Sequence, residues 1–306
     1  MTSREVEVAA PGKVNLILRV LDRRPDGYHN LWSVMQAVDL ADSVVAEEES
    51  GTPGIRLSCE GADLPTGSLN LAYRAAERAL ARWGQSRGVR LLVRKRLPVA
   101  AGLGGGSSDA AATIRALSIL FGARWSKEEM ADIGQEIGSD VPFFFYEPTA
   151  LVEGRGDRVS QRQLDGEGWL VLVNPGIPIA TKWAYDKLTA SRAAVWPSPF
   201  RPPLLEPATS ATDPPVVKWE DLISLMENDF GPVMEREFPV LRDLRLLLLD
   251  RGAQAAVLAG SGSTVFGVFP SEVAAKAAVE GLDRRSGWRA WVTRTRRSAS
   301  QLTSRD

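Results

Sequence analysis

Apolar and polar residues alternate through Val6-Glu7-Val8-Ala9-Ala10, and a second apolar run extends from Val14 to Val20. The pattern predicts two β-strands broken at Pro11-Gly12. Ser43 to Ala46 and Ile55 to Cys59 read as further strands. The period then lengthens: Leu71, Ala72, Ala75, Ala76, Ala79, Leu80 and Trp83 share one helical face, opened at Ser68-Leu69-Asn70 and stopped by Gly84. A β-rich run from Gly88 to Arg96 precedes a glycine-rich stretch, after which Ile114, Leu117, Ile119 and Leu120 carry a helix to Gly122. Ser126-Lys127-Glu128-Glu129 is a capping box for a helix reaching Ile137, where Gly138 ends it.

In the second half, Ala150 to Asp157 reads as a hairpin and Trp169 to Asn174 as an apolar strand punctuated by Pro175-Gly176. From Ser191 to Pro215 the composition shifts to Pro, Ser, Ala and Thr, which predicts a surface excursion outside the core. Helical patterns fill Trp219 to Phe230 and Val233 to Leu249. Strands at Ala256 to Ala259 and Thr264 to Phe269 are joined by Gly260-Ser261-Gly262-Ser263, then a helix from Ser271 to Leu282 and a strand from Arg289 to Val292 follow. This order predicts an antiparallel sheet with helices on one side, a ferredoxin-like layer arrangement, and hence an α+β fold. The polar end from Arg296 to Asp306 is expected to fray.

The glycine-rich stretch reads Pro98-Val99-Ala100-Ala101-Gly102-Leu103-Gly104-Gly105-Gly106-Ser107-Ser108-Asp109. Its glycines carry no side-chain chemistry, so their value lies in the backbone, which they free for positive φ and close approach. Ser107, Ser108 and Asp109 are N-cap types and predict a helix starting directly after the glycines. Free N–H groups at the positive end of a helix suit a phosphate; a flexible Gly/Ser turn is the alternative. No Gly-Lys-Ser/Thr ends the stretch, so it is not a Walker A loop, and Ser107 stands where a Rossmann spacing needs its last glycine.

Composition narrows the field. The 306 residues suffice for two domains, and 37 Lys plus Arg against 38 Asp plus Glu leave no bulk field for nucleic acid or a membrane surface. The apolar runs are too short for a membrane span, and Arg4, Glu5 and Glu7 interrupt any signal-like start, so a cytoplasmic protein is expected. One cysteine, Cys59, excludes an internal disulfide and reads as a buried structural thiol. One histidine, His29, excludes a two-histidine zinc helix; any metal would be a hard ion on oxygen ligands, which the sequence leaves unidentified.

Other residues stand out with two readings each. Lys13 and Asn15 share one strand face, either solvated or functional. Tyr28-His29 follows the turn Arg23-Arg24-Pro25-Asp26-Gly27 and is either a loop edge or an aromatic site. Arg94, Lys95 and Arg96 suit a solvated edge strand or a nearby polyphosphate. Asp140 lies between a helix terminator and Val141-Pro142-Phe143-Phe144-Phe145-Tyr146; it is either a catalytic carboxylate or an N-cap for a turn begun at Pro142.

The stretch Pro98 to Ala111 resembles the phosphate-binding motif of the GHMP kinase superfamily, Pro11-Gly12-Lys13-Val14-Asn15 its N-terminal motif, and Gly260 to Phe266 its C-terminal glycine loop. Gly12 departs from the alanine common before the lysine. The extended Gly-Leu-Gly-Gly-Gly-Ser-Ser, Arg24 to His29, and Gly138 to Phe143 further resemble the members that phosphorylate the 2-hydroxyl of a cytidine-diphosphate-linked methylerythritol on the route to isoprenoid precursors. The resemblance implies a ribosomal-protein-S5-like α/β domain at 1–165 and a ferredoxin-like domain at 166–306. It implies ATP with Mg²⁺, Asp140 as general base and Lys13 as stabiliser of the alkoxide and phosphate. Residues 98–108 would hold the phosphates and Asn70 would lie by the adenine. Asn15, Tyr28, His29 and Tyr185, with Trp183 as rival to Tyr185, would bind the cytidylyl substrate. A monomer or weak homodimer is expected, with no nucleic-acid or membrane partner.

Overall fold

The computed structural model describes residues 4–49, 53–84, 87–192, 214–282 and 287–297. Residues 193–213 of the Pro-rich segment and 298–306 of the polar end lie outside the described residues.

In chain order the elements are β1 (Glu5–Arg23), β2 (His29–Glu49), β3 (Gly54–Glu60), α1 (Leu71–Trp83), β4 (Gly88–Arg94), α2 (Gly105–Phe121) and α3 (Lys127–Gln135). A single 3₁₀ turn at Pro142–Phe145 follows, then β5 (Thr149–Gly154), β6 (Arg158–Asp165), β7 (Trp169–Asn174) and α4 (Thr181–Arg192). The remainder comprises β8 (Val216–Lys218), α5 (Trp219–Leu225), β9 (Glu227–Asn228), α6 (Gly231–Glu237), α7 (Pro239–Asp250), β10 (Ala255–Leu258), β11 (Val265–Phe269), α8 (Glu272–Val279) and β12 (Arg289–Arg294). The chain forms two compact units, residues 1–12, 40–99 and 104–146 in one, and 13–39, 100–103 and 147–306 in the other.

In the first unit β3 and β4 pair in parallel across the α1 crossover, a βαβ unit, and β4 pairs antiparallel with the Ser43–Glu49 end of β2. Helix α1 buries Ala72, Ala75, Ala76 and Ala79 and packs on α2, small side chains allowing a close approach. The capping box at Ser126 is present, with its side chain accepting from Glu129 N–H and Glu129 reaching back.

In the second unit β5 and β6 form the expected hairpin beside the Leu31–Gln36 part of β2. Strands β10, β11, β7 and β12 make a four-stranded sheet in that order, every pair antiparallel. This is the ferredoxin-like order, and helices α7 and α8 pack against it over a core that includes Val171, Val173, Leu244, Leu248, Val265, Ala275 and Ala278.

Four expectations change. Residues 5–23 form one strand: Gly12 is not among the glycines with positive φ, so Pro11-Gly12 does not reverse the chain. Helix α2 starts within the glycines, with left-handed Gly104 as N-cap and Ser108 N–H already donating to Gly104 O at 2.9 Å. The helix expected through Phe230 stops at Leu225, because Glu227 and Asn228 pair in parallel with Ile17 and Leu18; the next divides at Phe238, where Pro239 holds the preceding residue extended (φ −133°, ψ 84°). Strand β4 lies between β3 and β2, so Arg94 is not on an edge. The greater part of β2 and all of α4 carry no period that distinguished them in the sequence.

Candidate active site

The phosphate-loop candidate has positive φ at alternate residues: Ala100 (52°), Gly102 (81°) and Gly104 (68°). Such alternation turns successive N–H groups inward into an anion-binding nest, and alanine accepts the left-handed region only at a cost of about 1 kcal/mol. The loop runs straight into α2, whose N-terminus has no side-chain cap and no acidic residue in its first turn. Ser108 Oγ is buried there without a hydrogen-bond partner. Pro98 is buried, Val99 exposed, and Ala101 and Leu103 are buried. Gly105, Gly106 and Ser107 form the first helical turn.

In the second unit the loop rests on the turn between β10 and β11. A Cβ on Gly102 would fall on the Ala259 carbonyl, and Thr264 N–H donates to Ala101 O at 3.3 Å. Lys13 N–H donates to Leu103 O at 2.9 Å, and a Cβ on Gly260 would stand 3.4 Å from Lys13 Nζ. Lys13 and Asn15 are both buried, which removes the solvated-face reading. Lys13 Nζ donates to Asn15 Oδ1 at 2.8 Å, Asn15 Nδ2 to Ser33 Oγ at 2.8 Å, and Ser33 Oγ to Ile17 O at 2.7 Å. An unbroken relay therefore fixes the ammonium. Asn174 Nδ2 and Ser263 Oγ brace the far side of the turn through Thr264 Oγ1 (3.0 Å) and Ile177 O (2.6 Å).

Asp140 belongs to the first unit and is half-buried. The 3₁₀ turn has Val141 as its N-cap and no side-chain cap bond, so Asp140 is not spent on capping. Asn70 is spent that way: its Oδ1 accepts from Ala72 N–H at 2.9 Å while Nδ2 donates to Pro65 O at 2.9 Å and approaches Cys59 Sγ at 3.7 Å. Cys59 is half-buried, and that burial pushes its thiol up.

Tyr28 is exposed, with the Arg155 guanidinium 5.3 Å from its ring centroid. His29 is buried at the start of β2; its ring stacks on Tyr185 and its Nε2 bonds Thr189 Oγ1 at 2.8 Å. Burial, with Arg23 adding to it, holds the imidazole below its ordinary range and therefore neutral. Trp183 packs instead on Phe238, under Lys187.

Two buried polar clusters have partners that lie far apart in the sequence. Lys95 is buried in ion pairs with Asp42 and with Asp109 (2.6 Å), and Asp42 Oδ1 also accepts from Arg96 and Leu97 N–H. Lys95 is thus neutralised within the first unit and offers no free charge to a polyphosphate. Asn228 and Asp229 hold the glycine turn and β1. Their signal was a polar Glu-Asn-Asp triple interrupting a helical period between Met226 and Phe230. Among the described residues no group of three or more His, Cys, Asp and Glu could hold a metal, and no helix is long and apolar enough to cross a membrane.

The family descriptions "GHMP kinases N terminal domain" and "GHMP kinases C terminal" match residues 70–147 and 217–287. The chain is 38% identical over 292 residues to a 4-diphosphocytidyl-2-C-methyl-D-erythritol kinase of Geobacter sp. (strain M21), covering 95% of this chain and 99% of the relative. With that of Syntrophotalea carbinolica identity is 41% over 283 residues, 92% and 96% of the two chains. The crystal structure of a 4-(cytidine 5'-diphospho)-2C-methyl-D-erythritol kinase matches with a TM-score of 0.75 at 34% identity, covering 95% of this chain and 100% of that one. The L. major mevalonate kinase, at 16% identity and a TM-score of 0.68, covers 97% of this chain and 98% of that one and shares the fold. The motifs, the sheet order and these relatives agree, and the chain belongs to the 4-diphosphocytidyl-2-C-methyl-D-erythritol kinase family of GHMP kinases, enzymes that phosphorylate an alcohol.

Proposed function

We propose that the protein transfers the γ-phosphoryl group of ATP to the 2-hydroxyl of 4-diphosphocytidyl-2-C-methyl-D-erythritol, a step towards isoprenoid precursors. The observation that carries this reading is the alternating left-handed backbone of Ala100, Gly102 and Gly104 opening into the uncapped start of α2. Phosphate oxygens fit N–H groups so presented. Magnesium would neutralise charge on the phosphates, with Ser108, a buried hydroxyl lacking a partner, as its protein ligand.

Phosphoryl transfer asks the protein for positioning and charge stabilisation more than covalent chemistry. A tertiary alcohol is a poor acid, so its attack needs a base for the proton and a cation for the oxygen. In this reading Asp140 accepts the proton and Lys13, oriented by Asn15 and Ser33, stabilises the developing alkoxide. Residues 98–108 hold the phosphates, and Asn70 lies by the adenine. Tyr28, His29, Tyr185 and Asn15 serve the cytidylyl substrate, Tyr28 with an exposed ring for stacking. The functional boundary is proposed at 165/166.

A coupled ADP-release assay tests the reading against the cytidylyl substrate, homoserine, mevalonate and galactose. Turnover confined to the cytidylyl substrate is expected, with Asp140→Asn and Lys13→Ala each losing ~10²–10⁴ in kcat while ATP binding survives. Near-normal turnover by Asp140→Asn would overturn the assignment of the base.

A further inference from the structure

We propose that Asn228 is a positioning residue for phosphoryl transfer, gripping the glycine turn that backs both Gly102 of the phosphate loop and Lys13. The proposal rests on the kinase reading above. Asn228 is buried in β9, opposite Leu18 of β1. Its Nδ2 donates to Leu258 O and to Gly260 O, both at 2.7 Å, and its Oδ1 accepts from Phe230 N–H at 2.9 Å. Both amide hydrogens are used, so the amide has only one workable orientation: a flip would set its oxygen against two carbonyl oxygens.

The two carbonyls flank Ala259, and the Ala259 carbonyl is the one against which Gly102 packs. Ala259 N–H donates to Thr264 O at 2.8 Å, and Gly262 N–H to Ala259 O at 2.9 Å. Asn228 thus fixes the peptides on either side of the contact. Drawing the Gly260 carbonyl towards Asn228 points the Ser261 N–H of the same planar peptide the opposite way. Gly260 itself adopts φ +54°, and its α-carbon face abuts Gly102 and Lys13 Nζ.

Helix α5 ends at Leu225 and α6 begins at Gly231; asparagine, which disfavours helix interiors, stands in the strand between them. Departure from the local period at a residue whose side-chain hydrogen bonds go to one turn and one helix start fits a functional constraint.

The test uses the full-length enzyme with Asn228→Ala and Asn228→Asp, each checked for folding by circular dichroism and thermal melting. Two freed, buried carbonyls let the turn shift, so kcat is expected to fall about 10- to 100-fold. KM for ATP and for the alcohol should stay within about threefold, a split that simple loss of folded protein does not produce. The double variant Lys13→Ala/Asn228→Ala should be no more than about twofold slower than Lys13→Ala alone, because both changes disable the same unit. Wild-type kcat in both single variants, or fully additive losses in the double, would overturn the proposal. If the first two variants do not fold, Asn228→Ser, which keeps one donor, takes their place; failure of all three to fold makes Asn228 purely structural and also overturns it. A wild-type enzyme inactive on the cytidylyl substrate but active on another alcohol refutes the substrate reading alone, and the same kinetics are then read on that alcohol.

Discussion

The imidazole of His29 lies on the phenol ring of Tyr185, with centroids 4.9 Å apart and planes 23° from parallel. Tyr185 also meets Phe230 edge-on at 4.9 Å, and Thr189 holds His29 Nε2. A third ring has no room between the two, so a base stacking here takes an outer face or the exposed ring of Tyr28. The family resemblance assigns Tyr28, His29 and Tyr185 together to the cytidylyl substrate; in the structure His29 and Tyr185 form one stacked pair.

Replacing Tyr28 by alanine is expected to raise KM for the cytidylyl substrate about 5- to 100-fold, corresponding to ~1–3 kcal/mol of stacking, with little change in KM for ATP or in Tm. Tyr185→Ala should raise the same KM and lower Tm as well, since it removes both the His29 stack and the Phe230 contact. Steady-state kinetics with each substrate varied separately check both. Equal effects of Tyr28→Ala on the two KM values would reject a role in cytosine binding.

Gly102→Ala tests the close approach of the two glycine segments. The added Cβ would coincide with the Ala259 carbonyl, and φ of +81° is itself strained for alanine. The variant is expected to lose about 5- to 150-fold in ATP-dependent turnover, by an order-of-magnitude conversion of a strain of ~1–3 kcal/mol. Isothermal titration with ATP should show weaker binding. A variant with unchanged kcat and ATP affinity would show that the loop does not need this contact.

Asn15→Ala removes one acceptor of the Lys13 Nζ hydrogen bonds. Loss of a hydrogen bond to a charged group, worth ~1.5–3 kcal/mol, predicts a kcat decrease of about 10- to 100-fold. Ser33→Ala, one bond further along the relay, should cost less. The order Asn15 before Ser33, read from kcat values, is the outcome expected; the reverse order would break the relay argument.

How far these features were legible in the sequence depended on whether their cause was local. The caps at Ser126 and Asn70 and the ferredoxin-like order of β7, β10, β11 and β12 follow from period and punctuation within a few residues. The continuity of β1 through Pro11-Gly12 is different, because Lys13 N–H finds its acceptor at Leu103, ninety residues on. The N-cap of α2 was misplaced because Ser107 and Ser108 are good caps in isolation, while the left-handed backbone at Gly104 took the position first. Asn228 pairs with residues 258 and 260. Asp42 gave no local sign, since its meaning comes from Lys95 and Asp109 on other elements. For Lys13, Asn15 and Asp140 the residue type was visible but burial and capping were not.

The Lys95 cluster makes a prediction with a definite sign. Burial, reinforced by the neighbouring Asp42 carboxylate and only partly offset by Lys95, raises Asp109 from 3.8 to about 7. Between those values the folded chain holds more protons than the unfolded one, so this group's contribution is full at low pH and is lost as pH rises towards 7. His29 has the opposite sign: its depressed value makes stability fall as pH drops below 6.5. The Asp109 effect must therefore be read as a difference between variant and wild type. Asp109→Asn should abolish the loss, so that its Tm relative to wild type rises as pH goes from 5 to 8. Lys95→Met does the reverse, leaving Asp42 and Asp109 buried without their counter-charge. It should cost ~3–5 kcal/mol above pH 7. Part of that loss returns at pH 5, where Asp109 can take a proton. Because Lys95 Nζ lies under the first turn of α2, 3.3 Å from where a Cβ on Gly105 would stand, ATP-induced stabilisation should fall in Lys95→Met as well. Denaturant titrations across pH, with and without ATP, check both arms. A pH-independent stability difference in Asp109→Asn would reject the account of Asp109 as a carboxyl raised by burial.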